Sequence, residues 1–361
     1  MTPRGPVLAS LAWSLLPVGA GLTAGAVLLA ALGRNPAAFY ADVVRGGIEL
    51  SAWQDSLARL ATLTLIGLGL IVVFRAGLWN LGYHGQFLIA AAIVAGTGPA
   101  LADRLPVGLT LVLLCLVGAA AGAAWTVIPS VLRATFGTNE IVTTLMMSFV
   151  GVNLANLLIR GPFQDEGSAT PQTRLLPLDD MLPELPGVGV HAGLVVAAVA
   201  VLAAQLVLSR TGYGLRLRVL GLNPAAAAHL GLEPRRLIVT SFLASGALIG
   251  AAAAVEILGV WGYMRTDWSP SYGDAVIPFV FLARLRPVAL VPFLAFYAVL
   301  SIGGLRATQE ASLPVDFLLV VVGVTLVSMA VIELIARRRH GRSEYTVDPL
   351  FAPLHERPVG T

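Results

Sequence analysis

The chain has 361 residues, 57% of them hydrophobic and 12% charged, with a mean hydropathy of +0.83. A soluble domain is about a quarter charged, so the composition excludes an ordinary globular protein and leaves an integral membrane protein. The formal charge of +3 comes from 23 basic residues that are all arginine, and a chain without lysine cannot build a P-loop nucleotide site, a Schiff base or a Ser-Lys centre.

Lipid offers the backbone no hydrogen bonds, so apolar runs of about twenty residues read as helices. The expectation is an all-α, polytopic transmembrane helical bundle over residues 1–340, followed by a polar, proline-containing cytoplasmic tail at 341–361. The first run, 12–32, follows a basic start that resembles a secretory signal, but it is too long and lacks a cleavage site, so it reads as a membrane helix. Further runs fall at 57–73, 82–98, 107–128, 138–159, 191–208, 237–257, 275–290, 290–306 and 315–336, about ten spans in all. Pro278, Pro287 and Pro292 interrupt the eighth and ninth, which leaves open a broken hairpin without two complete crossings. Arg75, Arg133, Arg210, Arg216, Arg218, Arg235, Arg236, Arg284, Arg286 and Arg337–Arg339 fall in alternate connections. By the positive-inside rule those connections, and both termini, are cytoplasmic.

Three stretches carry polar residues where hydrocarbon is expected. In "FRAGLWNLGYHGQFLIAA", starting at Phe74, Asn80, His84 and Gln86 open the third span. An unpaired amide in hydrocarbon costs several kcal/mol, about 2–7, so these side chains point inward. They either line a substrate path or bond neighbouring helices, and Gly77, Gly82 and Gly85 permit close packing or a break. In "FGTNEIVTTLMMSFVGVNLANLL", Asn139 and Glu140 start a span in which Glu140, Thr144 and Ser148 share one face, with Asn153 and Asn156 nearer its outer end. This polar stripe reads as a path lining or as interhelical bonding, and Glu140 as a helix-start acid. Glu256 ends the seventh span and is followed by Trp261, Tyr263 and Trp268, rings that anchor at an interface or stack on a flat ligand.

Two connections exceed what joining helices requires. The outer one, 160–190, is rich in proline and acids. The inner one, 209–237, contains "NPAAAAHLG": Asn223 caps a short helix, Pro224 takes its first position, alanines propagate it and Gly231 ends it. A short capped helix on the cytoplasmic side is a docking element. No cofactor, metal or nucleic-acid partner is expected: the five histidines form no H-E-x-x-H, there is no G-x-S-x-G elbow, and Cys115 sits in an apolar helix.

These motifs, with "LRATFGTNEIVTTLMMSFV", "LIRGPFQDEGSATPQT" and "GLRLRVLGLNPAAAAHLGL" in this order, resemble the permease subunits of bacterial ABC importers in the branched-chain amino acid and simple-sugar superfamily, most of all those for nucleosides. The resemblance runs from about residue 57 to 336. It implies a chain of the bacterial inner membrane paired with a second permease subunit, usually a different one, over an ABC ATPase subunit, and fed by an extracytoplasmic binding protein or lipoprotein. Taken with it, the expectation is that nucleosides or related bases cross by alternating access, with the polar residues Asn80, Gln86, Asn139, Glu140, Thr144, Ser148, Asn153 and Asn156 read above as the path lining. The resemblance also implies that Asn223, Pro224, Ala226, Ala227 and Gly231 form the segment that couples to the ATPase. Ala225 stands where relatives commonly carry glutamate, which removes an acid from the helix start, and Tyr272–Ala289 is less glycine-rich than the comparable family stretch.

Two other classes stay open. A pentose or other simple sugar is an alternative cargo. An ion-coupled secondary transporter needs carboxylates at mid-membrane depth, and Glu140, Glu256 and Glu333 are the candidates, each also readable as interfacial. A membrane enzyme lacks an assembled nucleophile.

Overall fold

The structure is a computed structural model that describes residues 5–49, 52–270 and 272–310, with positions 320, 323, 324, 327, 328 and 331 beyond them. It is all-helical among the described residues: α1 (Gly5–Ala31), α2 (Pro36–Ile48), α3 (Ala52–Arg75), α4 (Tyr83–Ala102), α5 (Val107–Trp125), α6 (Val127–Phe136), α7 (Glu140–Arg160), α8 (Gly193–Arg210), α9 (Gly212–Leu222), α10 (Pro224–His229), α11 (Pro234–Glu256), α12 (Tyr272–Leu282) and α13 (Pro287–Glu310). A π-helical turn, Ile257–Trp261, prolongs α11.

Seven helices among the described residues are long and apolar enough to cross a membrane: α3, α4, α5 run on into α6, α7, α8, α11 with its π turn, and α13. Three of the expected ten are not among these seven: the first, of which only Gly19–Ala31 of α1 counts, as a shorter apolar helix, and the eighth and tenth. The eighth run, 275–290, is not a crossing: α12 has 11 residues, about 16 Å of rise, half of a bilayer core. It stops in a turn where Arg284 and Leu285 take φ of 51° and 55°, and Pro287 then opens α13, a first helical position that needs no N–H. The tenth run, 315–336, the arginines 337–339, Glu333 and the tail 341–361 lie outside the described residues, apart from the positions named above.

Helices α2 and α9 were not expected. In α2 the Asn35 side chain accepts from Ala37 N at 3.0 Å and Pro36 follows the cap. At 13 residues it is too short to register as a span. Its Phe39, Val43 and Gly47 are buried against α13, where a Cβ on Gly303 would stand 1.8 Å from the Val43 carbonyl.

The core is built on α3, α4 and α11. Every residue of α3 from Leu60 to Phe74 is buried, whereas α7 and α8 bury one residue in every three or four and turn the rest outward. A second close joint is α5 on α11. Gly118 and Gly122 on α5 face Gly246 and Gly250 on α11, two small-x-x-x-small pairs whose backbones touch. A Cβ on Gly122 would lie 2.1 Å from Gly246 O, and one on Gly250 2.0 Å from Gly118 O.

Candidate transport site

The polar residues of the third span sit at the break between α3 and α4. After Arg75 ends α3, Gly77 at φ +71° turns the chain, and residues 76–82 run up to the start of α4 without helical structure. Backbone that leaves the helix at this depth must find partners in side chains. Asn80 supplies them: its Oδ1 accepts from Gly82 N at 3.1 Å and from Gln86 Nε2 at 2.8 Å, and its Nδ2 donates to Gln86 Oε1 and Ser245 Oγ, each at 3.0 Å. Asn80 and Gln86 are fully buried. Ser245, on α11, was not singled out in the sequence.

The stripe on α7 closes the same joint. Glu140, Thr144 and Ser148 are buried along one face. Thr144 Oγ1 accepts from Leu81 N at 3.1 Å, and Ser148 Oγ accepts from Gly85 N at 2.9 Å. Both N–H groups precede the fourth residue of α4 and have no intrahelical acceptor. Gly82 and Gly85 allow the contact: a Cβ on Gly85 would come within 2.6 Å of Ser148 Cα. Glu140 pairs with Arg133 Nε at 3.2 Å, tying α7 to α6. Asn139 is exposed and caps α7 through Ile141 N at 2.9 Å. Asn153 is exposed on the outward face among Met146, Phe149 and Val150. Asn156 meets the segment between the π turn and α12, its Oδ1 accepting from Asp267 N at 3.0 Å.

Glu256 is buried, at 1% exposure. Its Oε2 accepts from Thr62 Oγ1 at 2.7 Å, and its Oε1 from Tyr272 Oη at 2.7 Å and Trp261 Nε1 at 3.2 Å. Arg59 lies over the Tyr272 ring, 4.4 Å from its centroid. One carboxylate thus joins α3, the π turn and the start of the half-helix α12. Trp261 is a donor in this cluster, while Trp268 packs on Phe87 of α4, 5.9 Å between centroids.

The long outer connection covers this end of the bundle. Thr173 N donates to Met264 O, Leu176 N to Gly262 O and Leu182 N to Leu258 O, so the loop lies along the chain that leaves α11. Phe163 lies flat on Gly96 of α4. His191, at the end of the loop, is buried against Gly259 and accepts from Gly193 N through Nδ1 at 3.2 Å. Burial holds this imidazole below its ordinary range, against the pull of Glu256.

On the arginine-rich side, α9 and α10 hang between α8 and α11. Asn223 Oδ1 accepts from Ala226 N at 3.0 Å, Pro224 is the first helical residue and Gly231 takes φ +75°, the local structure read from the sequence. Ala227 is buried and holds α10 in place, whereas Leu222 and Leu230 are exposed at 56% and 69%. Gly221 at the end of α9 packs directly on the break between α3 and α4: a Cβ there would lie 2.5 Å from Arg75 O and 2.9 Å from Gly77 N. Arg75 in turn donates to Leu285 O and Leu208 O, each at 2.9 Å, which gathers the ends of α3, α8 and α12 at one point.

A family model described as the permease component of the branched-chain amino acid transport system matches residues 53–330. The chain belongs to this permease family. It is 33% identical to a glucose ABC transporter permease protein of Haloferax volcanii over 94% of this chain and 93% of that one. It is 28% identical to a guanosine ABC transporter permease protein of Bacillus subtilis over 88% of this chain and 92% of that one. A nucleoside ABC transporter permease protein of Lactococcus lactis is 27% identical over 88% and 90%. No solved structure matches the chain.

As a permease, this chain is an integral membrane protein with a transport role, and the three relatives named are permeases for glucose, for guanosine and for nucleosides. The residues that sequence reasoning missed, Thr62, Tyr83, Ser245, Ser269, Tyr272 and Asp274, are ordinary hydroxyls and one acid, Thr62 and Ser245 in mid-helix and the others at or near helix starts. Only the packing of distant helices brings them to the site.

Proposed function

We propose that this permease passes a nucleoside or a related base inward by alternating access, driven by ATP hydrolysis on a separate ABC ATPase subunit. A second permease subunit completes the path, and an extracytoplasmic binding protein delivers the cargo. Asn80, Gln86, Glu140, Thr144 and Ser148 form the rigid frame beside the path, and Asn139, Asn153 and Asn156 belong to its wall. Asn223, Pro224, Ala226, Ala227 and Gly231 form the surface that meets the ATPase.

The observation that carries this reading is the contact of Gly221 with Arg75 and Gly77. A displaced α10 pulls on α9, and α9 rests on the segment that leads to Asn80. Movement at the cytoplasmic face therefore has a backbone route to the polar break inside the membrane. The chain has no lysine, so the P-loop that releases the energy belongs to another subunit.

The nucleoside cargo is supported by the guanosine and nucleoside permeases among the relatives and by the rings of Phe87, Trp261 and Trp268 grouped near the half-helix, since flat bases stack on such faces. A simple sugar is the second reading, favoured by the 33% identity to the glucose permease. Import of labelled guanosine by the whole assembly, challenged with excess glucose or ribose, separates them. Guanosine import that resists both sugars supports the nucleoside; glucose import that resists guanosine supports the sugar.

A further inference from the structure

We infer that Asp274, with His84 and Ser269, is a recognition point for the hydroxyl or N–H groups of a neutral cargo, placed halfway through the membrane. The inference rests on the transport reading above and adds to it the site and the chemistry of contact.

Depth comes first. Tyr272, at the start of α12, bonds Glu256, which also holds Thr62. Thr62 stands ten residues from the start of α3 and thirteen from its end, about 15 and 20 Å along a 1.5 Å rise. The other end of α12 is at the inner side, where Phe281 stacks on Phe74, 5.1 Å between centroids. Asp274 is the third residue of α12, so it lies just inward of the middle of the α3 span.

Asp274 is nevertheless exposed, as is Ser269, and His84 is half-buried. A carboxylate open at this depth is strongly disfavoured against lipid and faces water or a polar partner instead. One oxygen, Oδ1, accepts from the Tyr83 hydroxyl; Oδ2 has no hydrogen-bond or ion-pair partner among the described residues. Stabilising the first turn of α12 accounts for an acid here, but it does not account for a second polar pair beside it. His84 Nε2 lies 3.2 Å from Ser269 Oγ, and Trp268 is the adjacent residue. Tyr83 and His84 open α4 between Asn80 and Gln86, so the cluster borders the break in the path.

This combination suits a polyol or a base. A carboxylate with one fixed and one open oxygen accepts from vicinal hydroxyls or from a ring N–H, the imidazole and hydroxyl both donate and accept, and an indole face is close by. Ribose hydroxyls and pyranose hydroxyls fit equally. Phosphorylated solutes do not, because Asp274 would repel them.

The test uses the complete assembly in membranes. With Cys115→Ala removing the single native thiol, Asp274→Cys is exposed to a charged, water-soluble thiol reagent, and so is Leu116→Cys on the outer surface of α5. The expected result is modification of Asp274→Cys at least about tenfold faster than of Leu116→Cys, since a thiol must be ionised in water to react, slowed by guanosine or glucose and not by their phosphates. Asp274→Asn should raise the KM for import about tenfold or more while kcat stays within about twofold, as loss of a charge-assisted bond to cargo requires. Modification no faster than at Leu116→Cys means that the second permease or lipid covers the site, and overturns the inference. Fast modification that the imported solute does not slow also overturns it, although the transport reading then stands. If neither guanosine nor glucose is imported while another neutral polyol slows the modification, the recognition point stands and the named cargo falls.

Discussion

Asn80 and Gln86 close their side-chain amides on one another, Nδ2 to Oε1 at 3.0 Å and Nε2 to Oδ1 at 2.8 Å. Six residues apart, they straddle the start of α4, and Asn80 Oδ1 also accepts from Gly82 N. The pair fixes the geometry of the break from which the polar frame is built.

Removing one partner strands the other. Asn80→Ala leaves the Gln86 amide buried, at a cost of about 1–3 kcal/mol. The expected outcome is a clear loss of thermal stability in the detergent-purified protein for Asn80→Ala and for Gln86→Ala. The double variant should lose less than the sum of the two, with a coupling of about 0.5–3 kcal/mol. Additive losses would mean that the pairing does not form.

The glycines between α5 and α11 provide a sharper contrast. Gly250→Leu places side-chain carbon where Gly118 O already stands, 2.0 Å from the Cβ position, whereas Gly108→Ala, at the start of α5, meets nothing within 4 Å. Monodisperse yield after solubilisation should collapse for the first and stay at the wild-type level for the second.

At the end of α10, Gly231 has room around it and a φ of +75°. A branched side chain there strains the end of α10 by about 1–2 kcal/mol without a clash. Gly231→Val should lower ATP-driven import at unchanged assembly, and Gly231→Asn, which tolerates this conformation, should restore most of it. Ala225→Glu returns an acid to the first turn of α10 and is expected to leave import equal or higher.

His191 supplies a pH dependence. Its imidazole is held below the ordinary value of 6.5 by burial, so the folded protein binds its proton less readily than the unfolded chain does. Stability from the neutral ring is therefore complete above about pH 6.5 and is lost as pH falls below it. The fall in unfolding midpoint between pH 7.5 and 5.5 should be smaller in His191→Asn than in the wild type, because asparagine keeps an acceptor for Gly193 N and cannot take up the proton.

What was legible in the sequence was local. The capping Asn223, the first-position Pro224 and the left-handed Gly231 act within a few residues of one another, so α10 could be placed before any fold was known. Hydropathy likewise located the spans that became α3, α4, α7, α8 and α11. Depth was not legible. Glu256 looks interfacial because it ends an apolar run, yet a π turn carries the helix onward and Thr62, 194 residues earlier, meets it inside. The polar stripe on α7 could be drawn on one face, but its partners, Leu81 N and Gly85 N, exist only because α4 starts late. Asp274 carried no signal, since nothing in its neighbours says that α12 is a half-helix.

The central claim is that this permease moves solute only when a partner hydrolyses ATP. The most direct measurement is uptake of labelled guanosine and glucose into vesicles holding the co-purified assembly, with a native ATPase subunit or with one whose P-loop lysine has been replaced. Import of one solute class that needs ATP and stops with the replaced lysine is the predicted result. Import that continues without hydrolysis and follows an imposed ion gradient would contradict it.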